Sequence, residues 1–178
     1  MDNKQTYHTN LESSQYSEFS PGLVTNDEFI IRLHFHPSHY KNGSISSSAI
    51  TLTDLLQKGL SVYRMMYLTF EKLNTVVDDI HERAKAKDKI VNLYGYTTLK
   101  ASQIRELKDD GNQIYIVLDD ADTKSNYAHA SIYFSNYIES LGLSRHPRKQ
   151  KSHKMRLRNQ LLTLIEDNHV IGSPHIQK

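Results

Sequence analysis

The stretch Phe29-Ile30-Ile31-Arg32-Leu33-His34-Phe35 is the clearest strand signal in this chain. Its β-branched and aromatic residues favour extended backbone, and Pro37 ends the run. Two later stretches have the same character. Leu60–Met65 alternates apolar and polar residues, which predicts a half-buried strand. Gln113–Leu118 is so apolar that it predicts a central strand, covered on both faces.

Helical periodicity appears between and after these strands. Apolar residues recur at three- and four-residue spacing from Thr69 to Lys87, and Thr69 can cap the start. A second amphipathic helix is predicted over Ser152 to Glu166, whereas Ala128–Phe134 fits either a strand or a helix. Strands and helices alternate without long βαβ units. The sequence therefore predicts an α+β fold, with a small mixed or antiparallel sheet packed by two longer helices.

The chain of 178 residues suits one domain, which we divide into four segments. Residues 1–26 are polar and serine-rich, so a flexible N-terminal arm is expected. Residues 27–144 form the α+β core, and residues 145–167 form a basic segment with the C-terminal helix. Residues 168–178 are expected to be a frayed tail.

Composition excludes several classes of protein. Hydrophobic residues make up 38 % of the chain, which is enough for a core and excludes disorder of the whole chain. There is no cysteine, so disulfides, thiol nucleophiles and cysteine-ligated zinc are excluded. No apolar run approaches the ~20 residues needed to cross a bilayer, and no signal-peptide core follows Met1. We expect a cytosolic protein without a membrane partner, and no motif indicates a cofactor.

Charge is concentrated at the C-terminal end. The formal net charge is +2, but residues 145–178 carry eight basic and two acidic residues. Seven of these cations occur without an intervening acid: Arg145, Arg148, Lys149, Lys151, Lys154, Arg156 and Arg158. Neutralising several phosphates in this way produces salt-sensitive, sequence-independent affinity for nucleic acid. An acidic protein partner would be attracted by the same charge, and a solvated linker is the alternative interpretation.

Histidine and serine suggest a different kind of site. The motif His-x-Ser occurs twice, as His36-Pro37-Ser38 and as His129-Ala130-Ser131. Two such motifs on paired strands are the signature of two-histidine phosphoesterases, which this chain resembles in that respect. One histidine would deprotonate the attacking hydroxyl while the other protonates the leaving group. Arg64 lies in an otherwise apolar stretch and needs either an internal carboxylate or an anionic ligand.

Carboxylates follow the most apolar predicted strand. Asp119, Asp120 and Asp122 come directly after Gln113–Leu118. Such an arrangement can hold Mg²⁺, and solvated turn residues have the same appearance in sequence. These three residues are the candidate metal site.

Several short motifs of this chain resemble those of a loosely defined set of small bacterial proteins. The motifs are the His36-Pro37 turn, the segment Ser47-Ser48-Ala49, the strand Leu60-Ser61-Val62-Tyr63-Arg64 and His129-Ala130-Ser131-Ile132. The resemblance implies no reaction. It implies one possible polar site, made of His36, Ser47, Ser61, Arg64 and His129.

Three hypotheses follow from the sequence. The leading one is a bacterial accessory protein that contacts nucleic acid or an acidic partner through the basic segment. The second is a small enzyme acting on a phosphorylated or nucleotide substrate, with His36 and His129 as the acid–base pair and Arg64 on the anion. The third is a purely structural interaction module, which predicts neither a histidine-lined pocket nor salt-sensitive binding.

Overall fold

The computed structural model describes residues 18–121 and 127–174. Within them the strands are β1 (Phe29–His36), β2 (Tyr40–Lys41), β3 (Ser44–Ile45), β4 (Leu60–Arg64), β5 (Asn92–Lys100), β6 (Lys108–Asp109), β7 (Asn112–Gln113), β8 (Tyr115–Asp119), β9 (His129–Phe134) and β10 (His169–Ile171). The α-helices are α1 (Phe70–Lys85), α2 (Ala101–Arg105), α3 (Tyr137–Ser140) and α4 (Lys151–Asp167). Short helical turns cover Ser47–Ala49, Asp54–Lys58 and Met65–Tyr67.

Six strands form one antiparallel sheet in the order β10-β5-β1-β4-β9-β8. β2 and β3 form a separate hairpin across Asn42-Gly43, where both residues have positive φ as a tight hairpin turn requires. The predicted α+β fold of a single domain is confirmed, and the sheet is the antiparallel one of the two expected kinds.

The two longer helices cover opposite faces of the sheet. On one face, Ile30, Val62 and Ile132 pack in the same core as Leu157 and Leu161 of α4. The other face packs Ile31, Leu33 and Phe35 against Leu73 of α1, with Ile80 at the edge of the contact. Alternate residues of each strand therefore enter different cores, as the period of two in a strand requires.

Local signals placed α1 correctly. The hydroxyl of Thr69 accepts a hydrogen bond from the backbone N–H of Lys72 at 3.2 Å, which caps the helix. The helix ends at Lys85, close to the predicted end. Phe70 is an exception to the predicted apolar face, since 47 % of it is exposed.

β8 lies at the edge of the sheet and not at its centre, as the run Gln113–Leu118 had suggested. On one face Tyr115 and Val117 are buried in the same core as residues of α2 and α4, whereas Ile116 and Leu118 on the other face are only half-buried. Tyr115 is fully buried, and its hydroxyl donates to the Leu157 carbonyl oxygen of α4 at 2.8 Å. The prediction of a central strand covered on both faces was therefore wrong, since an apolar run can also occur in an edge strand with one face well buried.

Contacts with the core extend into both terminal segments within the described residues. His169–Ile171, assigned to a frayed tail, pairs with β5 as β10. Val24, assigned to the arm, is 1 % exposed and belongs to the α4-side core. Residues 1–17 of the predicted arm lie outside the described residues. Among the described helices, none combines the length and apolarity needed to cross a membrane.

Candidate active site

Three polar side chains lie side by side: Ser61 on β4, His129 on β9 and Asp120 directly after β8. The register pairs Tyr63 with His129 and Ser61 with Ser131, so Ser61 and His129 are diagonal neighbours on one face. Nε2 of His129 lies 3.1 Å from Oγ of Ser61. Nδ1 of His129 lies 3.2 Å from the carbonyl oxygen of Asp120 and 3.8 Å from its carboxylate.

The partners of His129 determine where its proton sits. A carbonyl oxygen only accepts hydrogen bonds, so Nδ1 of His129 carries the hydrogen and donates it to Asp120. The unprotonated Nε2 then accepts from the Ser61 hydroxyl. The Asp120 carboxylate is held by the Ser131 hydroxyl, which donates to it at 2.8 Å. A serine hydroxyl hydrogen-bonded to an oriented imidazole is the arrangement of an activated nucleophile.

Ser61 also lines a cavity of about 400 Å³ between the sheet and the end of α1. The cavity contains the cationic side chains of Arg32, Arg83, Lys87 and Lys89, and we call it the cationic cavity. The described residues that line it include no carboxylate. A negatively charged ligand would therefore meet four cations in the lining, whereas the nearest acids, Asp54 beside Arg32 and Asp79 beside Tyr63, lie outside it.

Arg32 links the cavity to the backbone of Ser61. The register of β1 with β4 covers two positions, and Arg32 follows them. Its guanidinium donates to the Ser61 carbonyl oxygen at 2.7 Å and to the Ala49 carbonyl oxygen at 3.0 Å. Burial lowers the pKa of Arg32, and the nearby Asp54 opposes that shift. Arg32 stays charged at neutral pH because an arginine starts from a very high pKa.

His39, also on the cavity wall, contributes no charge at neutral pH. Burial, followed by the charge of Arg32, lowers its pKa to about 4. Its Nδ1 accepts a hydrogen bond from the backbone N–H of Phe35 at 3.3 Å. The positive charge of the cavity therefore comes from its arginines and lysines.

Arg64 belongs to a different network. It points to the opposite face of β4 from Ser61, because successive side chains alternate. Its guanidinium contacts Glu28 at 2.7 Å and Asp119 at 2.6 Å, and all three side chains are nearly inaccessible. Burial, the largest single influence, raises the pKa of Glu28, but the hydrogen bonds from Arg64 and Thr25 and the charge of Arg64 together outweigh it, so the net shift is downward. Of the two partners foreseen for Arg64, the structure supplies internal carboxylates, so Arg64 holds no anion at the site.

His36 and Ser47 also lie away from Ser61. The residue of β1 that lies level with His129 is Ile31, because Ile31 pairs with Tyr63 of β4 and Tyr63 pairs with His129 of β9. His36 is five residues beyond Ile31 along β1, and β1 is two strands away from β9. That offset alone is about 16 Å at ~3.3 Å per residue. The structure therefore does not bring His36 and His129 together as an acid–base pair. Ser47 is exposed, and its carbonyl oxygen accepts from Arg158.

The three aspartates of the candidate metal site do not act together. Asp119 is paired with Arg64, whereas Asp120 points to the other face, beside His129 and Ser131. Asp122 lies outside the described residues. In residues 18–121 and 127–174, no group of three or more histidine or acidic side chains is placed to hold a metal ion.

Four of the seven cations in the basic segment have partners within the fold. Lys154 is 0 % exposed, and its ammonium donates to the carbonyl oxygens of Ser144 and His146, each at 2.7 Å. Arg158 is 4 % exposed and donates to carbonyl oxygens. Arg145 pairs with Glu139, and Arg156 pairs with Asp109. The remaining cations are exposed: Arg148, Lys149 and Lys151.

The sequence indicates Ser61 and His129 as candidates, but it does not predict their arrangement with Asp120. It does not predict the cationic cavity either. The sequence signal for the cavity is the row of cations at the end of α1 and just after it, Arg83 to Lys89. The same row is explained equally well as cations at the negative end of the helix dipole. Its relation to Arg32, far away in the chain, depends on α1 packing against β1.

No family model, no curated protein and no solved structure matches this chain. The fold and the site define an α+β protein with a serine–histidine–aspartate row at the wall of a cationic cavity.

Proposed function

We propose that this protein binds a small, phosphate-bearing anion in the cationic cavity. The observation that carries the proposal is the lining itself, which combines Arg32, Arg83, Lys87 and Lys89 without a carboxylate. Guanidinium groups match phosphate oxygens with two parallel hydrogen bonds, and lysines add compact positive charge.

The size and the remaining walls of the cavity fit a small molecule. Its volume of about 400 Å³ falls within the ~300–1,000 Å³ that is usual for small-molecule sites. Leu33, Phe35 and Ile80 supply an apolar wall for the uncharged part of the ligand. Lys87 and Lys89 are exposed at the rim of the cavity, whereas the Arg32 side chain is half-buried. Positive charge therefore extends from the rim into the cavity and attracts an anionic ligand inward.

Calorimetric titration with pyrophosphate and with a nucleoside monophosphate tests this proposal. The double variant Arg83→Glu/Lys87→Glu reverses charge at the cavity. Lys41→Glu/Lys108→Glu is its matched control, because it changes the net charge equally on exposed residues outside the cavity lining. We expect the cavity variant to lose at least ~10-fold in affinity, about 1.4 kcal/mol, and the control to stay near wild type. No binding by wild type, or equal losses in both variants, would overturn the proposal.

A second proposal keeps the polyanion hypothesis for the basic segment, reduced to Arg148, Lys149 and Lys151. The observation in its favour is their exposure, and the described part of the chain shows no carboxylate paired with them. Three cations predict a weaker salt dependence than seven, because the slope follows the number of phosphates neutralised.

Fluorescence anisotropy with labelled single- and double-stranded DNA and RNA, at low and high salt, tests the polyanion proposal. Reversing Arg148, Lys149 and Lys151 together should abolish salt-sensitive binding, while the cavity variant retains it. Binding to an acidic protein would show the same dependence on these cations. If neither nucleic acid nor an acidic protein binds and one protein co-purifies at high salt, the structural-module hypothesis is favoured. A cytosolic location and a bacterial accessory role remain predictions from the sequence.

A further inference from the structure

We propose that Ser61 is a nucleophile activated by His129, and that the protein hydrolyses a carboxylic ester of a phosphate-bearing small molecule. The substrate class rests on the proposed function, since it places the phosphate in the cationic cavity. The nucleophile itself rests on a separate set of contacts.

The contacts around Ser61 match the requirements of nucleophilic catalysis. Its Oγ lies 3.1 Å from the unprotonated Nε2 of His129, which is within reach for proton transfer. Nδ1 of His129 is held by the Asp120 carbonyl oxygen, and the Asp120 carboxylate lies 3.8 Å away. That carboxylate stabilises the imidazolium that forms when His129 takes the proton.

The surroundings keep the imidazole in place while the serine stays accessible. The Tyr63 ring packs edge-on against the His129 ring, with 5.6 Å between the ring centroids. The side chain of His129 is 14 % exposed, and Ser61 is half-buried at the wall of the cavity. A substrate in the cavity would therefore meet the hydroxyl first, with the base behind it.

The proposed reaction has two steps, acylation of Ser61 and hydrolysis of the acyl-serine. In the first, Oγ of Ser61 bonds to the ester carbonyl carbon while its proton moves to Nε2 of His129. The tetrahedral intermediate then expels the alcohol, which takes that proton and leaves an acyl-serine. In the second step, water attacks the acyl carbon and gives its proton to His129. The carbon–Oγ bond breaks, and the proton returns to Ser61 as the carboxylic acid leaves.

The cationic cavity explains why a charged ester is the expected substrate class. Arg32 binds the backbone of Ser61 and lines the same cavity, so positive charge lies close to the reacting carbonyl group. Such charge stabilises a developing oxyanion, and the phosphate of the substrate is held by the other cations.

A neutral fluorophosphonate probe tests the nucleophile without requiring the cationic cavity. Intact mass spectrometry of the full chain should show one adduct, and peptide mapping should place it on Ser61. Ser61→Ala should abolish labelling, and His129→Gln should slow it by ~100-fold or more. Ser47→Ala, at an exposed serine outside the site, should label like wild type. No adduct on folded wild type, or an adduct at another residue, would overturn the proposal, and mapping the wild-type adduct does not depend on any variant folding.

A pair of esters tests the substrate class. Phenyl acetate is neutral, and 4-acetoxyphenyl phosphate is the same ester with a phosphate group. Wild type should favour the charged ester by ~10-fold or more in kcat/KM, and Arg83→Glu/Lys87→Glu should lose that preference while still reacting with the fluorophosphonate. Ser61 labelling without any preference would overturn the substrate class and leave the nucleophile standing. Anion binding without labelling would leave the proposed function standing and overturn the hydrolase.

Discussion

The Nε2 atom of His129 lies 3.1 Å from the Oγ atom of Ser61, although 68 positions separate the two residues in the chain. The contact exists because β4 and β9 are neighbours in the sheet and pair Tyr63 with His129. A slip of one residue in that register would move Ser61 or His129 to the opposite face. The geometry of the site therefore depends on what holds these two strands in register.

Gly59, directly before β4, is one such residue. Its φ is +83°, and a Cβ there would lie 2.6 Å from both the Ser131 side chain and the Tyr133 hydroxyl. We expect Gly59→Ala to lower the free energy of unfolding by about 3 kcal/mol, from backbone strain together with the clash. Urea denaturation measures the change, and labelling of Ser61 should fall with it.

Gly111 provides the control for that variant. Its φ is +79°, but nothing lies within 4 Å of a Cβ built there. Gly111→Ala should therefore show the strain alone, about 1 kcal/mol. Equal losses in the two variants would mean that the approach of Gly59 to β9 has no energetic consequence.

The buried ion pairs of Arg64 should dominate the stability of the opposite face. Arg64→Ala leaves Glu28 and Asp119 without their cation, which we expect to lower the free energy of unfolding by ~3–5 kcal/mol. Arg145→Ala, which removes the more exposed pair with Glu139, should lower it by no more than ~1 kcal/mol. Urea denaturation of both variants at neutral pH makes the comparison, and a small loss for Arg64→Ala would contradict it.

The pair of Arg64 with Glu28 predicts a loss of stability in acid. Because the pKa of Glu28 is lowered in the folded protein, the unfolded chain takes up the proton first. The stabilisation is complete above the ordinary pKa of 4.5 and is lost as the pH falls through the lowered value. Glu28→Gln should flatten the decline below pH ~4.5 relative to wild type. An unchanged decline would contradict the expectation.

Buried histidines predict a second acid effect at higher pH. His34 is 0 % exposed, and burial first, then the charges of Arg32, His169 and His39, lowers its pKa to about 2. The Thr97 hydroxyl donates to the Ile165 carbonyl oxygen, so it accepts from Nε2–H of His34, which is neutral.

Protonation therefore favours the unfolded chain as soon as the pH falls below 6.5, the ordinary histidine value, and continues to do so down to about 2. His34 should contribute a loss of up to ~1.4 kcal/mol per pH unit in this window, and His39 a similar loss above its pKa of about 4. His34→Gln should reduce the slope of the free energy of unfolding between pH 6 and ~4. His146→Gln, at an exposed residue, should leave it unchanged, and an equal effect of both would contradict the assignment.

Two lysines on the first turn of α4 should behave differently, although each variant removes one charge. Lys154→Ala leaves the carbonyl oxygens of Ser144 and His146 without their donor, which we expect to lower the free energy of unfolding by about 2 kcal/mol. Lys151→Ala, at an exposed position, should change it by less than ~0.5 kcal/mol. Thermal or urea unfolding distinguishes them, and similar values would show that the buried contacts of Lys154 are weak.

The elements that the sequence predicted well rest on signals carried by neighbouring residues. The strand at Phe29, the turn at Asn42-Gly43 and the cap at Thr69 each follow from local composition or spacing, and the structure contains all three. The position of β8 does not follow in this way, since a helix and a strand can cover the same apolar residue.

The order of residues along the chain was enough for the α+β class and the approximate strands and helices, and it named Ser61 and His129 as candidates. Packing alone decided which cations turn inward, that Arg64 meets internal carboxylates, and that Asp120 stands behind His129. It also assembled the cationic cavity from β1 and the end of α1. The reason is physical: secondary structure responds to neighbours a few residues away, whereas hydrogen bonds and charges at a site join residues whose distances are set by strand register and helix packing.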